Sequence, residues 1–377
     1  MGSPARFGVL LSIVLVAWLT SITLDNIENA AFVVKHDMPV FCQFSDLVGS
    51  PYEARRLVEG KVDGPETVIP YGDSLVTFTK TGSIFKITGD KADLMLQLEG
   101  ETRPLGAAFS NDGTDLYVAD AARGLLKVSG TNIDVVASSA SGYPILYCND
   151  VDVGQESGAV YFTDSTDIAP QPIVEEGITT YDTLGASIVD ALRGARKGRV
   201  LKYNPETGKT SLIADGIWFA NGITVSKDES HALVCETFAA RILKVDLGTG
   251  ATSVFSTENL PGYCDGINYS PDESKVYVSV PSPPPKIMSL LDLLSDEMSR
   301  AVRSILMALP AALRPKPLKA GIALALDAGN GGIIEAYIDP MGEQFEMVSS
   351  VVENPQDSNE LFLGILSGDF IGALRKK

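Results

Sequence analysis

Apolar and polar residues in this chain come in short runs separated by turn residues, and the runs repeat in one order. Asn149-Asp-Val-Asp-Val, a turn at Gln155 to Gly158, Ala159-Val-Tyr-Phe-Thr-Asp164, Gly198-Arg-Val-Leu-Lys-Tyr203, a turn at Asn204 to Gly208 and Thr210-Ser-Leu-Ile213 predict four strands. The next stretch copies it with Asn221-Gly-Ile-Thr-Val, a turn at Ser226 to Glu229, Ala232-Leu-Val-Cys-Glu236, Ala240-Arg-Ile-Leu-Lys-Val245 and Thr252-Ser-Val-Phe255. Earlier copies begin at Glu66-Thr-Val-Ile and Leu105-Gly-Ala-Ala-Phe. A signature of small residue or Arg, aliphatic, any residue, Lys, aliphatic marks each third strand.

The units start at residues 66, 105, 149, 221 and 265, spaced by 39, 44, 72 and 44 residues, against roughly 40–50 for one propeller blade. The longest interval holds an insertion. A sixth copy ends the chain with Ser349-Ser-Val-Val, Leu361-Phe-Leu-Gly-Ile and Asp369-Phe-Ile-Gly-Ala-Leu374. It lacks a fourth strand, and Tyr52-Glu-Ala-Arg-Arg-Leu-Val58 is the expected donor, which would remove the open sheet edge. The fold expected is therefore all-β, a six-bladed β-propeller over residues 51–377 with an N-terminal transmembrane helix and helical insertions.

The first insertion, at about 166–197, carries helical spacing of Leu184, Ile188 and Leu192 within Tyr181 to Arg193. The second, at about 286–318, follows Pro281-Ser-Pro-Pro-Pro285 and repeats apolar residues every three or four positions as far as Leu313. Two uses are open for these helices. They form a lid or membrane-surface element at the axial site, or they merely cover a blade edge.

Composition adds a surface charge and excludes one class of partner. Apolar residues at 45%, with 35 Gly and 21 Pro, describe a folded, turn-rich chain. Lys and Arg number 30 against 48 Asp and Glu, a net charge of −18, and no basic stripe interleaved with aromatics occurs. Such a surface repels nucleic acid, so no nucleic-acid partner is expected.

Residues 1–7 form a short tail and 8–24 an uncharged run of 17, with Arg6 before it and Asp25 and Glu28 after it. This is short but sufficient for a bilayer. The positive flank predicts a signal anchor with a cytosolic tail, a stalk at 25–50, and a luminal or extracellular propeller. That is a single-pass type II protein of the plasma membrane or endoplasmic reticulum, with a cleaved signal peptide as the competing reading. Cys42, Cys148, Cys235 and Cys264 include no C-x-x-C pair, and no disulfide connectivity can be read from them. Asn268-Tyr-Ser270 is a glycosylation sequon, within an inner-strand phrase.

Four phrases hold the same place in successive units: Gly-Pro-Glu66, Tyr-Cys-Asn149-Asp150, Phe-Ala-Asn221-Gly and Tyr-Cys-Asp265-Gly. A circular arrangement brings Glu66, Asn149, Asn221 and Asp265 to one axis. Two carboxylates and two amide carbonyls make an oxygen-only site, which is Ca²⁺ chemistry. Asp150 is expected to orient Asn149 rather than to reach the ion. Asp150-Val-Asp152-Val-Gly lacks the further acidic positions of a Ca²⁺ loop.

The segments from Asn149 to Ser165, Gly198 to Gly208, Asn221 to Ser226 and Val234 to Arg241 resemble the strictosidine synthase-like proteins. The anchor, Gly64-Pro-Glu66 and the helical insertion after the Pro-rich stretch resemble the membrane-associated members of that family. The resemblance implies a six-bladed propeller related to paraoxonases and gluconolactonases, with Ca²⁺ in the central tunnel held at Glu66, Asn149, Asn221 and Asp265. Three departures qualify it. Membrane-anchored relatives have Asp-Asn where this chain has Asp265-Gly266. His36 and His231 do not match the paraoxonase His pair. The catalytic glutamate of alkaloid-forming synthases aligns with Ser349, with Glu346 and Glu353 nearby.

The function expected is Ca²⁺-dependent hydrolysis of a small-molecule ester or lactone, arylesterase-like, with Asp265 as general base or nucleophile. The alternative is a non-catalytic, Ca²⁺-stabilised receptor or scaffold. Strictosidine synthase-type condensation ranks below both. No Gly-x-Ser-x-Gly motif supports a serine triad.

Overall fold

A computed structural model describes residues 52–377, apart from 176, 257–259 and 292–293. Six antiparallel sheets of four strands stand around one channel, which the innermost strands of all six line. Blade 1 runs from Val68–Tyr71 to Lys91–Gln97, blade 2 from Pro104–Phe109 to Asn132–Ala137, and blade 3 from Cys148–Val153 to Lys209–Ile217. Blade 4 runs from Ala220–Val225 to Thr252–Val254 and blade 5 from Ile267–Tyr269 to Ile333–Asp339. Blade 6 takes Val348–Asn354, Asp357–Ile365 and Ile371–Lys376 from the end of the chain and Tyr52–Leu57 from the start of the described residues. The closing pair is antiparallel, from Tyr52 opposite Lys376 to Leu57 opposite Ile371, so the expected donor strand fills the last edge.

The second strand of each blade reads as continuous apolar sequence because both of its faces are buried. In His231–Glu236, Ala232 and Val234 pack toward blade 3, while Leu233 and Cys235 pack toward blade 5. Successive side chains alternate across a strand, so a sheet clamped between two neighbours needs apolar residues at every position. Every blade interface carries such an apolar wedge. Each fully buried Leu, Val or Ile stabilises the ring by about 1.5–3 kcal/mol.

A recurring carboxylate fixes the loop that enters each inner strand. Asp120, Asp164 and Glu236 end the second strands of blades 2, 3 and 4, and all are buried. Asp120 accepts the backbone N–H of Arg103, Asp164 that of Tyr147 at 2.9 Å, and Glu236 that of Trp218 at 2.9 Å. Each also meets an arginine at the head of the third strand, namely Arg123, Arg199 and Arg241. This is the physical reason for the Arg in the third-strand signature. Charge-assisted bonds to a buried carboxylate hold the residues that lead into the axis.

The insertions form a cap, with boundaries that differ from those expected. Helix starts at Thr183, not Tyr181, because Tyr181 and Asp182 belong to a hairpin of Gln171–Glu175 with Ile178–Asp182. Asp182 caps the helix by accepting the Gly185 N–H at 2.7 Å, and left-handed Gly194 ends it. The second insertion divides into Lys286–Leu291, Asp296–Ala308 and a short turn at Ala311–Leu313. Buried Arg303 donates to the carbonyls of Ala191 and Leu192, tying the two insertions together. Among the described residues no helix is long and apolar enough to cross a membrane. The expected anchor at 8–24, the stalk, His36 and Cys42 lie outside them.

Replacing Glu236 with Ala removes the buried acceptor shared by Arg241 and the Trp218 N–H. Denaturant unfolding should show a loss of about 3–5 kcal/mol; a loss below about 1 kcal/mol would contradict the clamp.

Candidate functional site

Strand register makes the inner positions comparable from blade to blade. Pro104, Cys148 and Ala220 lie opposite Asp120, Asp164 and Glu236, so Leu105, Asn149 and Asn221 are equivalent. The residue two places earlier shares their side of the strand. In blades 3, 4 and 5 that residue is aromatic: Tyr147, Phe219 and Tyr263. With Phe238 they make a chain of ring contacts 5.1–5.2 Å apart. The recurring phrases therefore encode a wall residue and, two residues on, an axial one.

Two cavities meet at these axial residues. On the cap side is an apolar chamber of about 120 Å³, walled by the aromatics together with Leu184, Ile188, Met288, Pro315 and Pro317. On the other side a polar channel of about 530 Å³ runs between the inner strands. Among the described residues, Glu66, Asn149, Asn221 and Asp265 line both. The structure thus brings the four sequence-derived residues to one partition.

Each of the four is engaged by a neighbour and still presents an oxygen. Glu66 accepts from Arg103 through Oε2 at 2.9 Å. Asn149 donates its amide to Ser165 Oγ at 2.9 Å, and Ser165 donates onward to the Ala220 carbonyl. Asn221 stands beside the Asp265 carboxylate and favours its charged form. Among the described residues, no hydrogen bond is formed to Glu66 Oε1 or to the side-chain carbonyls of Asn149 and Asn221. Burial pushes the Asp265 carboxyl well above the usual carboxylate range, the nearby Glu66 charge adds to this, and Asn221 opposes it. Burial also raises Glu66, against the pull of Arg103.

Arg103 is the site residue that the sequence reading missed. It occupies in blade 2 the place that Tyr147 and Phe219 hold in blades 3 and 4. Buried behind the partition, it also donates to the Pro104 carbonyl at 3.1 Å. Aligning Thr102-Arg-Pro-Leu105 with Leu146-Tyr-Cys-Asn149 would have exposed the exchange of ring for guanidinium.

Residues 149–250 match the family model described as strictosidine synthase. The adipocyte plasma membrane-associated protein of Salmo salar is 34% identical over 266 residues, 65% of this chain and 60% of that protein. Its Rattus norvegicus counterpart is 27% identical over 85% of both chains. Strictosidine synthase-like protein 7 of Arabidopsis thaliana is 35% identical over 48% of this chain and 44% of its own. The chain is related to the strictosidine synthase-like proteins. Among solved structures, a gluconolactonase from Xanthomonas campestris superposes with a TM-score of 0.58 at 15% identity, over 90% of this chain and 95% of that one. A luciferin-regenerating enzyme gives 0.57 at 12%, over 86% and 95%. At these identities the structures show a shared fold.

Several other expected residues are engaged in other contacts. Asp150 accepts the N–H groups of Val151 and Ile223 at 2.9 and 3.0 Å, so it braces blade 3 against blade 4. Burial pushes its carboxyl up to about 7. Asp152 likewise accepts the Val225 N–H at 2.7 Å. The Asn268 amide faces the channel and donates to the Val351 carbonyl, which engages the nitrogen a glycan would need. His231 bonds Ser230 and Tyr269, away from both cavities. Ser349 donates to the Glu66 carbonyl at 2.6 Å, Glu353 accepts from Tyr277, and Glu346 pairs with Lys319. None of these glutamates lines the partition.

The Gly at position 266 has a steric reason. Its N–H donates to the Ser349 carbonyl at 2.9 Å, and a Cβ there would stand 2.5 Å from the same oxygen. Gly222 meets Asp265 in the same way, at 2.4 Å. Gly266→Asn should therefore lower thermal stability by an equivalent of at least about 2 kcal/mol. A variant that unfolds at the original temperature would contradict this tight contact.

Proposed function

We propose that the chain is a Ca²⁺-dependent hydrolase of esters or lactones that carry an apolar group. The observation that carries this reading is the partition, where four oxygens from four blades are left for a ligand. Oxygen donors at a buried, net negative site fit a hard divalent cation, and Ca²⁺ accepts the low symmetry of such a set. A bound Ca²⁺ would polarise the substrate carbonyl and offset the negative charge that builds on its oxygen.

The protein groups then divide the remaining work. Glu66 is oriented by Arg103, and Asn149 by Ser165. Asp265 faces both cavities, and its carboxylate is the group there that suits taking a proton from attacking water. The apolar chamber offers a hydrocarbon surface and few groups that could bond the hydroxyls of a sugar. The fold neighbour named a gluconolactonase supports ring-opening of lactones as a related chemistry.

The cap also supports a position beside a membrane. Residues 286–319 carry six Lys and Arg against three Asp and Glu, within a chain of net charge −18. Leu290, Met298, Ile305 and Leu313 are exposed on it. Basic charge interleaved with apolar side chains suits an anionic lipid surface, in keeping with residues 8–24 as an anchor and with relatives named plasma membrane-associated.

A second reading, a non-catalytic propeller stabilised by Ca²⁺, is favoured by Gly266 and by the position of His231. Purified protein separates the two. Ca²⁺ should raise Tm by several degrees, as expected for a ligand well above its Kd. Aryl ester hydrolysis should stop with chelator and fall at least about 100-fold in Asp265→Asn. A hexanoyl ester should be preferred over an acetyl ester by about tenfold or more in kcat/KM, from burial of the added methylenes. A Ca²⁺-dependent rise in Tm with no ester or lactone turned over would establish the scaffold reading. No response to Ca²⁺ at all would overturn both.

A further inference from the structure

Two of the three described cysteines belong together. Cys235, on the second strand of blade 4, and Cys264, just before the inner strand of blade 5, are fully buried in the same interblade wedge. Both are free thiols, and the Cys264 thiol meets the carbonyl of Arg241, whose neighbour Ile242 stands directly opposite Cys235 in the strand pair. The surrounding backbone holds them there. Thr237 donates to the Cys264 carbonyl at 2.8 Å, and the Cys264 thiol donates to the Arg241 carbonyl at 3.5 Å. Cys148 lies in a different wedge, between blades 2 and 3, with no cysteine beside it among the described residues.

The geometry points to Cys235 and Cys264 as a disulfide site that ties blade 4 to blade 5. The partner is a low-molecular-weight disulfide such as oxidised glutathione. One thiolate attacks it, forming a mixed disulfide and releasing one glutathione. The second thiolate attacks the protein-bound sulfur, closing the bridge and releasing the second glutathione; the protein gives up two protons and two electrons, which reduce the oxidant. Complete burial shields both sulfurs from the oxidant in the closed ring, so the exchange belongs to folding, before blades 4 and 5 meet. The bridge would join the residue before the Glu236 clamp to the residue before Asp265, holding the aromatic wall and the axial donor in one frame.

Peptide mapping tests this on the full-length chain, refolded in a glutathione redox buffer, denatured, alkylated and digested without reductant. The expected result is one cross-linked peptide pair joining Cys235 to Cys264, with Cys148 alkylated. Reduction should lower Tm by about 5 °C, the effect of opening a loop of about 30 residues in a chain of this size. That shift should persist in Cys148→Ala and vanish in Cys235→Ala. Alkylation of both Cys235 and Cys264 after oxidation, or a bridge from either to Cys148 or Cys42, would overturn the assignment. If Cys235→Ala does not fold, the map of the unaltered protein decides alone.

Discussion

Buried negative charge at the waist of the ring is the constraint on which the rest depends. Glu66 and Asp265 reach it from blades 1 and 5, Asp150 lies close by, and the Arg103 guanidinium is bonded to Glu66. A carboxylate removed from water without a partner costs several kcal/mol. Proton uptake relieves some of this, and both axial carboxyls are pushed toward it. A divalent cation would relieve it without protons, and the amide carbonyls of Asn149 and Asn221 stand ready as neutral donors on the same partition.

The propeller makes this arrangement affordable by spreading its support over many blades. Apolar wedges hold the sheets, and the strand from Tyr52 to Leu57 closes the ring. Buried carboxylates at Asp120, Asp164 and Glu236 fix the entry to three inner strands. Gly222 and Gly266 let neighbouring inner strands approach until backbone N–H and C=O groups bond across blades. Above them the cap converts an open hub into a lined chamber, with Arg303 fastening one insertion to the other. The axial chemistry and the dry chamber are thus products of one packing scheme.

Much of this was legible in the sequence because a repeat exposes equivalences that no single motif carries. Blade number, the closing strand and the convergence of Glu66, Asn149, Asn221 and Asp265 follow from period and phrase position. Less legible was whatever depends on tertiary partners. Helix start shifted from Tyr181 to Thr183 because a hairpin claimed Tyr181 and Asp182, and the exposed strand Gln171–Glu175 had no buried face to give it a pattern. Arg103 carries no motif of its own, and only strand register gives it the place that Tyr147 and Phe219 hold. Asp150 looked like a companion to Asn149, yet its carboxylate serves the backbone of blade 4.

A cation at the partition would be visible by anomalous diffraction from a Ca²⁺-soaked crystal. One peak is expected on the axis, about 2.3–2.6 Å from oxygens of Glu66, Asn149, Asn221 and Asp265. An axis without a peak at millimolar Ca²⁺, with Glu66 and Asp265 bonded to water and Arg103 alone, would contradict it.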